Sequence, residues 1–520
     1  MATTLPPAPA RPRWWPALLL LGLNVAALAW FQFDGEADRQ ERYLRSFLAC
    51  LLTGVLLLGW CVGFSRFPRR IRLLVLAVVV AAVAGLAALL RIEGVTGDLV
   101  PIVQWRWTER GATAGLDRKP DTAPIDHTTN TPPAAAWPQF LGPDRDGTLP
   151  GPNLARDWSN RPPVEVWRIP VGPGWSGFAV AAGLAVTQEQ EGPLELVTAY
   201  EAANGRLVWR HTNETRYATT IAGEGPRATP TIAGGRVFTA GGTGRLNCLD
   251  LLTGKVIWSH DVLAENGGQV PEWGYSASPL VHGAQVILPA GGSEGRSLVA
   301  YRAANGEFVW GGGTDPLGYS SPVLQSLAGQ AQILLFNGRA VVGHDPQDGR
   351  VLWRHGWPTP HPHVANPVLT SPDTMVASAG YGQGAEAIRA QRGTNGAWSA
   401  ARVWKSNRLK AKFSNFIALD GHLYGLDDGI LTCLDAATGE ARWKDGRYGH
   451  GQMIRVGTLL LLLAENGELV LVEPAPSEWR ELARFRVFAD KTWNTPALAG
   501  ELAYLRNDRE AVCLRLPVRD

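Results

Sequence analysis

The chain has 520 residues, 45% hydrophobic and 18% charged, which is enough apolar material for a large folded domain and too much for a disordered one. A formal net charge of +2 with no concentrated basic stretch gives no case for a nucleic-acid partner. Five cysteines (Cys50, Cys61, Cys248, Cys433 and Cys513) are odd in number and form no C-x-x-C pair, so neither a disulfide framework nor a thiolate metal site is expected.

Three apolar stretches come first, at 14–33, 47–64 and 73–90. Each has about the length that a helix needs to cross roughly 30 Å of hydrocarbon. Arg11 and Arg13 precede the first stretch, and Arg66, Arg69, Arg70 and Arg72 separate the second from the third. The first connector instead mixes Asp34, Glu36, Asp38 and Glu41 with arginines. The positive-inside rule then puts the N-terminus in the cytoplasm and everything after Leu90 outside it. The "ALA" at 27–29 also satisfies a signal-peptide cleavage pattern, and cleavage there would leave the later domain on the same side. Residues 1–91 are therefore expected to be a membrane anchor. From 92 to 136 the composition shifts to Pro, Thr, Asp and Ala ("RKPDTAPIDHTTNTPPAAA"), which reads as an extended, mostly unstructured tether.

Beyond the tether the chain repeats itself. Trp167, Trp209, Trp258, Trp310, Trp353, Trp404, Trp443 and Trp479 follow one another at intervals of 36 to 52 residues, the spacing of a four-stranded propeller blade. Each copy holds short apolar runs bounded by turn residues. Asn-Gly or Asp-Gly at 204–205, 305–306 and 348–349, and Thr-Gly at 253–254 and 438–439, supply the hairpin before the tryptophan. The tryptophan then enters an outermost strand, where it can cover the seam to the neighbouring blade. Eight strand openings can be counted: "SGFAVAAG", "ATPTIAGG", "ASPLVHG", "SSPVLQ", "ANPVLT", "SNFIALDG", "GQMIRVG" and "NTPALAG". The last copy lacks an outer strand, and "PVEVWRIPV" at 163–171 can supply it, which closes the ring. Cys248 and Cys433 stand where other copies have Ala199, Ala300 and Gly343, so they read as small core residues.

This pattern resembles the PQQ-like (quinoprotein-type) propeller repeat over about 137–520. "WPQFLGPDRDG" at 137–147 is similar to the lead-in of membrane-tethered or secreted bacterial members, and 409–452 is similar to their late blades. The resemblance implies an all-β eight-bladed propeller with four-stranded antiparallel blades, preceded here by three transmembrane helices. It leaves two functions open. Some members are alcohol or sugar dehydrogenases that hold pyrroloquinoline quinone (PQQ) and Ca²⁺ over the channel, with a Trp beneath and a catalytic Asp. The BamB family is a non-catalytic scaffold. No two cysteines here are adjacent, as they are in soluble alcohol-oxidising members, and the long covering insertions of those enzymes are missing. Membrane glucose dehydrogenases manage without the cysteine pair.

The residues before each opening strand should approach the channel mouth: Trp175, Arg227, Tyr275, Tyr319, His363, Lys412, His450 and Trp493. Aromatics with convergent basic groups could hold a planar anion such as a quinone tricarboxylate. The same residues also read as the ordinary polar rim of a water-filled channel. His361 and His363 in "HPH" should point apart and lack a matching third ligand, so no metal is expected there. Asp427 and Asp428 read as a hairpin turn, and 405–412 ("KSNRLKAK") as a solvated connector. No P-loop or H-E-x-x-H sequence supports nucleotide or zinc-hydrolase chemistry. The expectation is a non-catalytic interaction or ligand-binding platform anchored in a bacterial inner membrane, with its propeller in the periplasm and envelope proteins as partners. The alternative is a membrane-bound PQQ-dependent quinoprotein dehydrogenase.

Overall fold

The computed structural model describes residues 12–34, 38–108, 120, 137–357 and 361–519. The chain divides into two compact units, residues 1–110 and 111–520.

The first unit contains three helices, α1 (Trp15–Phe33), α2 (Arg39–Gly63) and α3 (Arg69–Leu89). Helix α2 begins eight residues before its apolar run because Asp38 caps it: the carboxylate accepts from the Glu41 N–H at 2.7 Å. Pro68 sets the start of α3, where its missing N–H costs nothing. Trp14, Trp60 and Phe67 form a mutual aromatic cluster, with ring centroids 5.5 to 6.1 Å apart. Asn24 donates across to Thr53 at 2.8 Å. The outward faces, including Leu18, Leu74 and Val83, stay exposed, and all three helices are long and apolar enough to cross a membrane. Soluble proteins rarely leave so much apolar surface in water, and a bilayer would cover it.

Where the sequence suggested an extended tether, the chain first makes a hairpin. Leu90–Val95 pairs antiparallel with Pro101–Trp105, beginning at Leu90↔Trp105. Ile102, Val103 and Trp105 in "PIVQW" favour a strand, a turn is closed by Thr96 N–H on the Val100 carbonyl, and the proline stands at the strand's first position, where it is tolerated. Beyond Thr108 the expected tether, apart from Pro120, lies outside the described residues.

The second unit is an eight-bladed propeller of four-stranded antiparallel blades. Blades 1 to 7 occupy 179–213, 231–261, 280–312, 323–356, 368–406, 417–447 and 452–486, and blade 8 joins 497–515 to 164–170. The early strand does close the ring: Val164–Pro170 pairs with Glu510–Arg515, with Trp167 opposite Cys513. The blade tryptophans show why the repeat is written as it is. In blades 1 to 6 and 8 the tryptophan faces a small residue on the preceding strand: Ala199, Cys248, Ala300, Gly343, Ala387, Cys433 and Cys513 in blade order. A β-bulge follows each of these pairs, which turns the indole outward toward the next blade. The indole then lies on the next blade's turn glycine. Trp167 covers Gly205, Trp209 covers Gly254, Trp258 covers Gly306, Trp310 covers Gly349 and Trp404 covers Gly439. A β-carbon on any of these glycines would fall within 3.0 Å of the ring, and all five have positive φ. Five indoles also donate to a carbonyl of the next blade, such as Trp209 to Leu251 at 2.8 Å and Trp404 to Ala436 at 3.1 Å.

Trp479 departs from the pattern. It precedes the outer strand of blade 7 and donates to the Tyr448 hydroxyl at 3.0 Å, while Leu471 and Ala483 occupy the facing pair with large and small reversed. Cys248, Cys433 and Cys513 are free, buried thiols, and burial pushes them to about 12, 11 and 12 respectively, so they are core residues. Residues 405–412 are a solvated connector only in part: Lys405, Asn407 and Arg408 are exposed, but 409–412 are buried. Lys410 is buried against Asp427 and Asp428, and Lys444 reaches Asp427 from the other side. Asp428 and Gly429, both at positive φ, nevertheless make the expected turn.

The lead-in segment crosses the central channel. Trp137 exchanges two backbone hydrogen bonds with Val180, Pro138 accepts from Ile232, and Thr148–Leu149 adds a short parallel strand to Gln452–Val456. Leu154 then bridges to Val518. A single segment thus ties blades 1, 2, 7 and 8 together.

Replacing Ala300 by Leu should lower the unfolding free energy of the propeller by about 1–3 kcal/mol through overpacking against Trp310. Trp209→Ala should cost about 3–5 kcal/mol. Denaturant midpoints of the full chain in detergent check both, and an exposed control such as Val403→Ala should change little.

Candidate functional site

Propeller topology brings every loop that leads into an innermost strand to one face of the ring. A belt of hydrogen bonds fixes this rim. Gly177 N–H donates to Thr229 Oγ1 at 3.2 Å, Thr229 to Ser278 Oγ at 2.9 Å and Ser278 to Ser321 Oγ at 2.9 Å. Ser321 continues to Asn366 Oδ1 at 2.9 Å, and Asn366 to Asn415 Oδ1 at 2.9 Å. Thr229, Ser278, Ser321 and Asn366 each precede a proline, which holds the backbone extended at the rim. Reading the opening motifs for their proline alone misses this belt, because its polar partners are the residues just before.

The eight mouth residues read from the sequence do not form a single cluster. Trp175 and Trp493 meet at 4.8 Å between ring centroids, Phe413 lies 5.1 Å from Trp493, and His450 lies 4.9 Å from Phe413. Lys491 sits over Trp493 at 3.9 Å and over Trp175 at 5.1 Å. Glu465 orients the group: one carboxylate oxygen accepts from Trp493 Nε1 at 2.8 Å and the other from the His450 backbone N–H at 3.0 Å. The sequence pattern did not single out Phe413, Lys491 or Glu465. Lys491 and Phe413 lie one or two residues from selected positions, and Glu465 comes from the turn between the second and third strands of blade 7.

Arg227 belongs to a second group. Its guanidinium lies 4.5 Å from the Tyr217 ring centroid and donates to the carbonyls of Ala222, Gly223 and Gly225. Burial lowers its pKa to about 10. Glu195 interacts electrostatically with Arg227, is fully buried, and receives the Gly242 N–H at 2.8 Å on one oxygen. Burial pushes this carboxyl up to about 7, with Gly242 and Arg227 opposing. Tyr319 accepts from the Trp273 N–H at 3.3 Å, and Lys412 lies 4.8 Å from the Tyr381 ring centroid.

Tyr275 and His363 are buried beneath the rim. Tyr275 donates to the Pro289 carbonyl at 2.8 Å. His363 stacks on Phe336 at 4.1 Å, donates from Nδ1 to the Asn337 carbonyl at 2.6 Å, and is driven down to about 4 by burial. His361 instead stacks on Tyr381 at 5.2 Å, so the two imidazoles of "HPH" have different neighbours.

The aromatic pair and Lys491 suit a planar anion. A calcium ion beside it does not fit the donor set: among the described residues no three His, Cys, Asp or Glu side chains gather into a metal cluster, and Glu465 is committed to Trp493 and His450.

The fold defines the class, an eight-bladed propeller of four-stranded antiparallel blades, and its repeat is similar to the PQQ-like one. A family model described as outer membrane protein assembly factor BamB matches residues 194–445, just under half of the chain. The quinone-dependent alcohol dehydrogenase subunit of Gluconobacter oxydans (strain 621H) is 24% identical over 255 residues, 45% of this chain. The match spans only 31% of that relative's length. Among solved structures, quinohemoprotein alcohol dehydrogenase from Comamonas testosteroni covers 75% of this chain and 82% of its own, at TM-score 0.52 and 12% identity, a likeness of fold alone. BamB from Moraxella catarrhalis covers 68% of this chain and 87% of its own, at TM-score 0.36 and 14% identity.

Two buried groups give the stability a pH dependence. Glu195 has a folded pKa above its unfolded value, so its contribution is fully present below about 4.5 and is lost as pH rises through about 7. His363 has a folded pKa below its unfolded value, so its contribution is present above about 6.5 and is lost as pH falls through about 4. Glu195→Gln should therefore flatten the loss of stability between pH 4.5 and about 7, the span of the two Glu195 values, and His363→Gln the loss between about pH 6.5 and 4. Thermal midpoints across pH, wild type against each variant, check the two windows separately.

Proposed function

We propose that the protein is a membrane-anchored, non-catalytic platform whose propeller, on the periplasmic side of a bacterial inner membrane, binds a ligand or an envelope protein at the open mouth. The observation that carries this reading is the Trp175, Trp493, Phe413, His450 and Lys491 group, in which the Glu465 carboxylate already serves as an internal brace. A surface of aromatic rings with a cation is well suited to recognition. With the lead-in segment filling the channel, partners would dock on the mouth and not pass through. The arginine-rich connector between α2 and α3 supports an inside-positive orientation.

The second reading, a quinoprotein alcohol or sugar dehydrogenase using PQQ and Ca²⁺, draws support from the Gluconobacter relative and from the paired indoles at the mouth. PQQ, if held, would supply two-electron redox chemistry, while Trp175 or Trp493 would floor its ring and Arg227 or Lys491 would meet its carboxylates.

The two readings separate in one set of measurements. Detergent-solubilised protein with added PQQ and Ca²⁺ should show no dye reduction with alcohols or sugars above a protein-free control. A photo-crosslinker at Tyr319 in intact cells should give a discrete adduct that Trp493→Ala weakens at least tenfold. PQQ-dependent dye reduction, with micromolar PQQ binding lost in the Trp493→Ala/Arg227→Ala double variant, would replace the platform with the enzyme.

A further inference from the structure

The lead-in segment carries a charge that neither reading uses. Arg145 lies inside the channel and is 2% exposed. Its two terminal nitrogens donate to the Pro279 carbonyl at 2.8 Å, to Gln139 Oε1 at 3.1 Å and to the Ser278 carbonyl at 2.9 Å. Its Nε has no hydrogen-bond partner, and among the described residues no carboxylate forms an ion pair with it. Burial alone lowers the guanidinium to about 9, so it stays charged at neutral pH. A buried cation without a counter-charge is one of the costliest arrangements a core can hold.

Arg145 borders a cavity of about 100 Å³, room for several water molecules. The cavity lies between the lead-in segment and the innermost strands of blades 4 to 6, which that segment does not pair with. Asn366, 2% exposed, also lines it, and its Nδ2 has no partner because the Oδ1 is spent on Ser321 in the rim belt. Thr148, Gln325 and Asn415 add polar groups. Asp146 is the one acidic residue on the wall. One of its oxygens is held by the Thr148 N–H at 2.8 Å, burial raises its pKa, and it makes no ion pair with Arg145.

We propose that this cavity is an anion site, in which a small inorganic anion, a halide or a phosphate-type oxyanion, accepts from Asn366 Nδ2 and neutralises Arg145. The bound anion locks the lead-in segment into the channel, because Arg145 belongs to that segment and Asn366 to the rim belt.

The test is thermal unfolding of the full chain in detergent, exchanged into sodium gluconate and titrated at constant ionic strength with sodium bromide in one arm and sodium phosphate in the other. Either anion should raise the wild-type midpoint saturably by about 2–5 °C. Asn366→Asp keeps the acceptor for Ser321 but places a negative charge on the cavity, and it should abolish the rise. Gln325→Glu does the same from another strand, so a folding failure of the first variant leaves the test intact. Saturation by bromide but not phosphate identifies a halide site, and the reverse an oxyanion site. A flat wild-type response, or an equal rise in the wild type and a folded variant, overturns the proposal and leaves a water-filled cavity in which Asp146 balances Arg145.

Discussion

The structure depends on one repeated contact, an indole ring laid flat on the glycine of the next blade's hairpin. Each blade alone is a small sheet with two apolar faces and two free edges, and would not persist in water. The contact solves both problems with a short stretch of sequence. A small residue opposite the tryptophan leaves room for the ring, a bulge after the pair turns it, and a glycine with no β-carbon receives it. This accounts for alanine, glycine and cysteine being interchangeable at one position of the repeat. It also explains why the turn residue varies from Asn-Gly to Thr-Gly while its glycine stays.

Ring closure extends the same logic. The strand at 164–170 brings its own Trp167, set opposite Cys513 and over Gly205, so the last seam is built like the others. A fully buried Arg506 reinforces it, donating to Thr187 Oγ1 and to the carbonyls of Gln188 and Gly172 across blades 8 and 1. With the circumference fixed, the polar belt at the strand openings holds the rim loops, and the mouth residues follow from that frame. The site is therefore rigid in its backbone, as preorganised recognition requires. Its side chains form two separate groups around Trp493 and Arg227.

Much of this architecture was legible in the sequence, since blade number, closure and the seam role of tryptophan all follow from local spacing and turn chemistry. What stayed hidden involves contacts between distant segments. Nothing near Glu465 announces that it braces Trp493, and a proline-centred reading of "SSP" or "ANP" passes over the Ser321 and Asn366 side chains that bond the neighbouring blade. Tyr275 and His363 occupy rim positions in the alignment yet turn inward, because their loops fold over neighbouring strands. Lys410 looked solvated because charge runs usually are, and only the fold brings Asp427 to it. The hairpin after α3 was masked by its proline at the strand's first position, where proline is tolerated.

Hydrogen–deuterium exchange of the full chain in detergent tests the ring account most directly. If the early strand is an integral part of blade 8, peptides covering 164–170 should exchange as slowly as those covering 510–515, and both should lose protection together in denaturant. Fast exchange of 164–170 while 510–515 stays protected would show an open ring, and the account of the seams and of the mouth they hold in place would fall with it.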